Sequence, residues 1–227
     1  MELAFALDFL RRLAANNTTA WMAEHRADYL RARAAVADLV QQVLNQATPA
    51  LPELAGLTPV QAMYRLHKND RSQRDPEPYK RRLGSGLLAG GRHAPVAGWW
   101  LGVQPDGMSR LAAGIFQPTP AALTAIRQEI HYSSAEFHRL RQAPALLAHF
   151  PAGLDLGGPR LLRPPRGYAA TDPDLAWLQL KSFTVSRHFA DAELLQPGFV
   201  AQVGAGMRAA APLVRFLNAA LLEQTGG

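Results

Sequence analysis

The spacing of apolar residues changes period twice along this chain, and the order of those changes narrows the fold more than any other feature. Phe5, Phe9, Leu10 and Leu13 recur at helical spacing before Asn16 and Asn17, which end one helix and open a turn. Thr18 or Thr19 caps a longer helix, whose stripe of Trp21, His25, Tyr29, Val36, Leu39, Val40 and Val43 runs to the loop 48–58 with its Pro49, Pro52 and Gly56. Strand-length patterns then take over. Residues 63–68 read as a strand and 84–91 as a flexible glycine-rich connection. Residues 96–103 and 110–116 form an antiparallel hairpin about Gln104, Pro105, Asp106 and Gly107.

Helical signals return after the hairpin. Thr119 before Pro120 starts a helix carrying Leu123, Ile126 and Ile130, and Ser133 with Glu136 predicts a capping box for the next, which carries Phe137 and Leu140. An extended segment, 154–168, leads to Asp172 and Pro173 as cap and first position of a short helix ending near Leu178. Residues 182–189 alternate, with Phe183, Val185, Arg187 and Phe189 on one face and Thr184, Ser186 and His188 on the other. The end, 197–224, is helical, interrupted by Gly204, Gly206 and Pro212. Helices, then strands, then helices predict an α+β fold: a mainly antiparallel sheet with helices packed on it. The expected organisation is one domain over 1–227, with a helical part at 3–47, a sheet-containing body at 60–190 and a helical part at 197–224.

Composition removes several kinds of chemistry. There is no cysteine, which excludes disulfides, thiolate nucleophiles, cysteine-ligated zinc and iron–sulfur clusters. The seven histidines lie far apart and none forms a His-Glu-x-x-His helix, so no metal is expected. Gly84, Ser85 and Gly86 do not make a nucleophile elbow, and the glycines to Gly91 lack the lysine of a phosphate loop and the order of a dinucleotide fold. No cofactor is expected. No stretch approaches the roughly 20 apolar residues of a membrane helix, and the first residues lack the basic start of a signal peptide, so a cytoplasmic protein with no membrane partner is expected.

Charge is unevenly spread. Segment 64–82 holds seven of the 24 basic residues (Arg65, Lys68, Arg71, Arg74, Lys80, Arg81 and Arg82) against Asp70, Asp75 and Glu77. Arg160, Arg163 and Arg166 add a second cluster without an acid, so the two segments together exceed the whole chain's net charge of +6. Such concentration points to a place where an anion is held. Only Lys68, Lys80 and Lys181 are lysines, and the planar arginine fork suits carboxylate and phosphate.

Arg65, Leu66, His67, Lys68, Asn69, Asp70 and Arg71, followed by Asp75, Pro78, Tyr79 and Lys80, resemble the signature of a bacterial and fungal family catalogued as domain of unknown function 2461. The resemblance extends to Phe9, Leu10, Asn16, Asn17 and Trp21, to Gly98, Trp99 and Trp100, to Gly114, Pro118 and Arg127, and to Pro165, Arg166, Gly167 and Lys181. The chain departs from the signature at Lys68, Asn69, Ser72, Gln73 and Pro76. The resemblance implies a compact α+β fold and names no activity.

Three readings of the basic segments follow. Arg65, Arg71, Tyr79, Lys80, Arg166 and Lys181 could converge on one phosphate- or carboxylate-bearing small molecule. Alternatively, Asp70, Asp75 and Glu77 neutralise the same cations in an internal ion-pair network, and the protein acts through protein partners. The third reading is sequence-tolerant, salt-sensitive nucleic-acid binding. His67 and His188 are the acid–base candidates should they face the basic loop. Of Trp99 and Trp100, alternation sends one ring to each face of the sheet, so one is core and the other either core too or stacked on a helix, a partner or a ligand; core on both sides is expected. No reaction is legible.

Overall fold

The computed structural model describes residues 2–68 and 77–222. The first part of the chain forms α1 (Glu2–Ala15), α2 (Thr19–Glu24), α3 (Arg26–Ala47) and α4 (Pro59–Ala62), followed by strands β1 (Leu83–Leu87), β2 (Gly98–Val103) and β3 (Ser109–Ile115). Then come α5 (Pro120–Tyr132), α6 (Ser134–Arg141), α7 (Pro144–His149), α8 (Leu175–Leu178), β4 (Phe183–Phe189), α9 (Asp191–Leu194) and α10 (Phe199–Leu222). The four strands form one antiparallel sheet in the order β1-β2-β3-β4 with helices packed on it, which is the expected α+β class. Among the described residues no helix is long and apolar enough to cross a membrane.

Contacts divide the chain into two compact units: Met1–Ala94 with Trp100–Leu111 and His188–Gly204, and Pro95–Trp99 with Ala112–Arg187 and Ala205–Gly227. In the first unit, α1 buries Phe9, Leu10 and Leu13, and α3 buries Val36, Leu39, Val40 and Val43, the stripes set by their 3.6-residue spacing. Thr18 caps α2 by accepting from the Trp21 amide, as expected, but the long helix is broken at His25, where the backbone leaves helical geometry. The hairpin turns through Asp106 and Gly107, both at positive φ, the conformation that two-residue hairpin loops require. Asp191 accepts from both turn amides at 3.0 Å, and Arg11 pairs with Asp106 and Asp191, fixing the turn from outside.

In the second unit, α5 starts as expected, with Thr119 accepting from the Ala122 amide. Ile126, Ile130, Phe137, Phe150, Phe183, Val185 and Leu217 are fully buried in its core. The capping box expected from Ser133 and Glu136 does not form. Ser133 makes no side-chain cap bond, and Glu136 instead turns outward to Arg139 at 3.2 Å. The short helix begins at Leu175, with Asp174 as its cap residue, because Asp172 accepts from the Asp174 amide and pairs with His131 at 3.0 Å. Helices α7 and α9 were not anticipated; four- and six-residue elements carry too little periodicity to register.

Two strand assignments are corrected. Residues 84–91 are not a flexible connection throughout: Leu83–Leu87 is β1, buried at every position. Its glycines mark close approach of other side chains, since a Cβ on Gly84 would lie 2.9 Å from the Trp100 indole and one on Gly86 2.9 Å from Tyr64 Oη. Residues 63–68 are extended but not a regular strand. Met63 bridges Ser85 and His67 bridges Tyr79, and between those bridges three residues face the five of 80–84. The register therefore slips at a bulge containing Arg81 and Arg82, which breaks the ladder.

Candidate functional site

The bulge determines where the basic residues point. Lys68 N–H donates to the Pro78 carbonyl at 2.8 Å, Lys80 N–H to that of Leu66 at 2.9 Å, and Tyr64 N–H to that of Gly84 at 2.9 Å. The two arginines carried in the bulge diverge. Arg81 turns back to Glu77, with Nε 3.0 Å from Oε2, whereas the Arg82 guanidinium lies over the Trp100 ring at 5.7 Å from its centroid. On β3, Arg110 approaches the same ring at 5.1 Å.

Glu77 is the centre of a small internal network. It accepts from Asn17 Nδ2 at 3.1 Å and pairs with Arg81 and, at 3.6 Å, with Lys68. Asn17 also clamps the backbone of Tyr79, donating to its carbonyl at 2.9 Å and accepting from its N–H at 3.1 Å. The ion-pair alternative thus describes Lys68 and Arg81. Arg65, Lys80 and Arg82 meet no carboxylate within ion-pair distance among the described residues, and Asp70 and Asp75, the other carboxylates of that alternative, lie outside them.

Lys80 is the most constrained of these cations. It is half-buried, its Nζ donates to the Arg65 carbonyl at 2.9 Å, and it lies 5.9 Å from the Tyr64 ring centroid. Burial pushes its pKa below the ordinary lysine value, and the positive charge of Arg82 pushes it the same way. Tyr64 is held by a 2.9 Å bond from its hydroxyl to the Arg92 carbonyl, and burial raises its pKa, opposed by the nearby Arg92. Lys80, Arg82, Trp100 and Arg110 therefore form one basic, aromatic group in the first unit, which Arg65 joins through its carbonyl.

The six residues singled out by sequence divide as follows. Lys80 belongs to this group, and Arg65, itself exposed, meets it through its carbonyl. Tyr79 is half-buried and packs edge-on against His67 at 5.3 Å. Arg71 lies outside the described residues. Arg166 and Lys181 are exposed and belong to the second unit, Arg166 beside Gly167 at positive φ and Lys181 joined through its N–H to the Pro159 carbonyl at 3.2 Å. His67, the acid–base candidate beside the loop, directs Nδ1 to the Lys68 carbonyl at 2.5 Å. Arg82 and Arg110 were not selected by sequence reasoning, because only the bulge and the hairpin bring them to one indole. Trp100 was assigned to the core; it is half-buried, while Trp99 is fully buried with its indole N–H donating to the Met207 carbonyl at 3.1 Å.

The second unit holds a different polar constellation, also not anticipated. Asp174, 2% exposed, accepts from Ser134 Oγ and faces His138 Nε2 at 2.5 Å. Arg141 Nε donates to His138 Nδ1 at 2.9 Å, so the ring proton belongs on Nε2, directed at Asp174. Arg141 also stacks over Trp177 at 4.2 Å. Nearby on α5, the buried Arg127 donates to the carbonyls of Leu178 at 2.6 Å and Leu180 at 3.1 Å, and burial lowers its pKa. These contacts brace α5 and α6 against α8. Among the described residues no group of three histidine, aspartate or glutamate side chains is arranged to hold a metal ion.

A family described as "Conserved hypothetical protein (DUF2461)" matches residues 5–216. No curated protein and no solved structure matches the chain. With nearly its whole length matched, the chain belongs to the DUF2461 family, as the residues around Arg65 and Tyr79 suggested.

Proposed function

We propose that this protein binds a phosphate- or carboxylate-bearing small molecule on the face formed by Lys80, Arg82 and Arg110, with Arg65 at its rim. The observation that carries the reading is the placement of Lys80: half-buried, beside Arg82, with its Nζ donating to a backbone carbonyl and meeting no carboxylate among the described residues. Holding two like charges together costs free energy that a bound anion recovers, and desolvation strengthens each bond the anion then accepts. Glu77 supports the arrangement by drawing Lys68 and Arg81 away, which leaves Arg82 directed at Trp100.

The test is thermal unfolding with phosphate, pyrophosphate or a dicarboxylate, each compared with chloride at equal ionic strength. Stabilisation by at least one of these anions beyond that of chloride is expected. Equal curves in all salts would mean that the face holds no specific anion.

A further inference from the structure

We infer that the anion held by this face carries a nucleobase, and that Trp100 is the surface on which the base stacks. The inference rests on the proposed anion site and adds the chemical class of its ligand. It starts from the way the indole is seated. Trp99 and Trp100 point to opposite sides of β2, and only Trp99 is consumed by the core, its indole N–H satisfied by the Met207 carbonyl. The Trp100 indole N–H meets no protein acceptor among the described residues.

The Trp100 ring is pressed flat on the sheet. A Cβ on Gly102 would fall 2.0 Å from one ring carbon, and one on Gly84, on the neighbouring strand, 2.9 Å from another. Neither glycine has the positive φ that would call for glycine on backbone grounds. Glycine weakens a strand relative to the β-branched residues that usually fill such positions. What the two glycines provide is clearance: the half-buried indole lies across the backbone, with the Arg82 and Arg110 guanidinium groups over its ring.

Cations gather around that ring. The Arg110 and Arg82 guanidinium groups lie over it at 5.1 and 5.7 Å from its centroid, and Lys80 lies beside Arg82. The arrangement recurs two residues along β1, where a Cβ on Gly86 would meet Tyr64 Oη at 2.9 Å and Lys80 Nζ lies 5.9 Å from the Tyr64 ring. An aromatic surface with an arginine rim matches the two parts of a nucleoside phosphate, a flat π-system that stacks and an anion that takes charge-assisted hydrogen bonds. An inorganic anion would use the cations and leave the ring only its contact with the two arginines, whereas a nucleobase uses its π-surface as well.

The experiment titrates the protein with a purine nucleoside diphosphate, with pyrophosphate, and with a short single-stranded oligonucleotide. Tryptophan fluorescence and thermal stability are read in wild type and in Trp100→Phe, with Trp100→Leu as the stronger variant if it folds. Binding of the nucleoside diphosphate about tenfold or more tighter than pyrophosphate, with quenching that is lost in Trp100→Phe, supports the inference. If the oligonucleotide binds tighter still, the nucleobase comes from a strand; if the diphosphate binds tighter, it comes from a free nucleotide. Equal affinity for pyrophosphate and nucleoside diphosphate, without quenching from Trp100, overturns the inference and leaves the anion site standing. Binding of none of the three overturns both.

Discussion

The cluster around Lys80 in the first unit and the network around Asp174 in the second treat charge in opposite ways. In the second, Asp174, His138, Arg141 and Ser134 bond to one another, and Arg127 spends its charge on the carbonyls of Leu178 and Leu180. In the first, Lys80 and Arg82 sit side by side without a described carboxylate, against Tyr64 and Trp100. The contrast teaches that the presence of cations does not by itself mark a binding face. A network whose donors and acceptors satisfy one another braces the fold, whereas like charges held together over an aromatic surface are placed at a cost that a ligand can offset.

The largest expected effect tests the bracing half of this contrast. Asp174→Ala strands His138 Nε2 and the Ser134 hydroxyl and removes a carboxylate whose charge favours that of Arg141, so it should destabilise by about 3 kcal/mol in denaturant unfolding. A loss below about 0.5 kcal/mol would mean the network is not holding α6 to α8. Next comes Gly102→Ala, which puts a methyl group into the Trp100 ring and should cost roughly 2 kcal/mol while shifting the tryptophan emission. Gly84→Ala should cost less, since its closest approach is 2.9 Å rather than 2.0 Å.

The smallest effect concerns Lys80. Because its folded pKa is depressed, the folded state loses its proton before the unfolded state as pH rises. Stability therefore increases between the folded value and the ordinary lysine value of 10.5. Removing the neighbouring charge in Arg82→Ala should move the Lys80 pKa up towards that value and shrink the alkaline gain, with overall stability at neutral pH changed by less than about 0.5 kcal/mol. An NMR titration of the Lys80 amine reads the shift directly. An unmoved pKa would show that burial alone depresses it.

Much of the fold was legible in the sequence because it rests on local spacing. The stripes of α1 and α3, the Thr18 and Thr119 caps and the positive-φ turn at Asp106 and Gly107 are all set within a few residues. β1 was not, because Gly84 and Gly86 read as flexibility until Trp100 and Tyr64 are seen occupying the space they leave. The candidate site was less legible. Arg65 and Lys80 stood out by charge density, but the two-residue register slip that separates Arg81 from Arg82 depends on pairing across the bulge. The pairing of His138 with Asp174 joins residues 36 apart in sequence, and no spacing rule connects them.

Arg81 and Arg82 offer the most direct test of the central claim, because adjacent residues of the same type have been given different tasks. Pyrophosphate at about 100 times its dissociation constant should stabilise wild type by roughly 2.7 kcal/mol. Thermal unfolding should show that stabilisation largely lost in Arg82→Ala and largely kept in Arg81→Ala. Equal loss in both variants would reduce the effect to general positive charge, and no stabilisation of wild type would contradict the account outright.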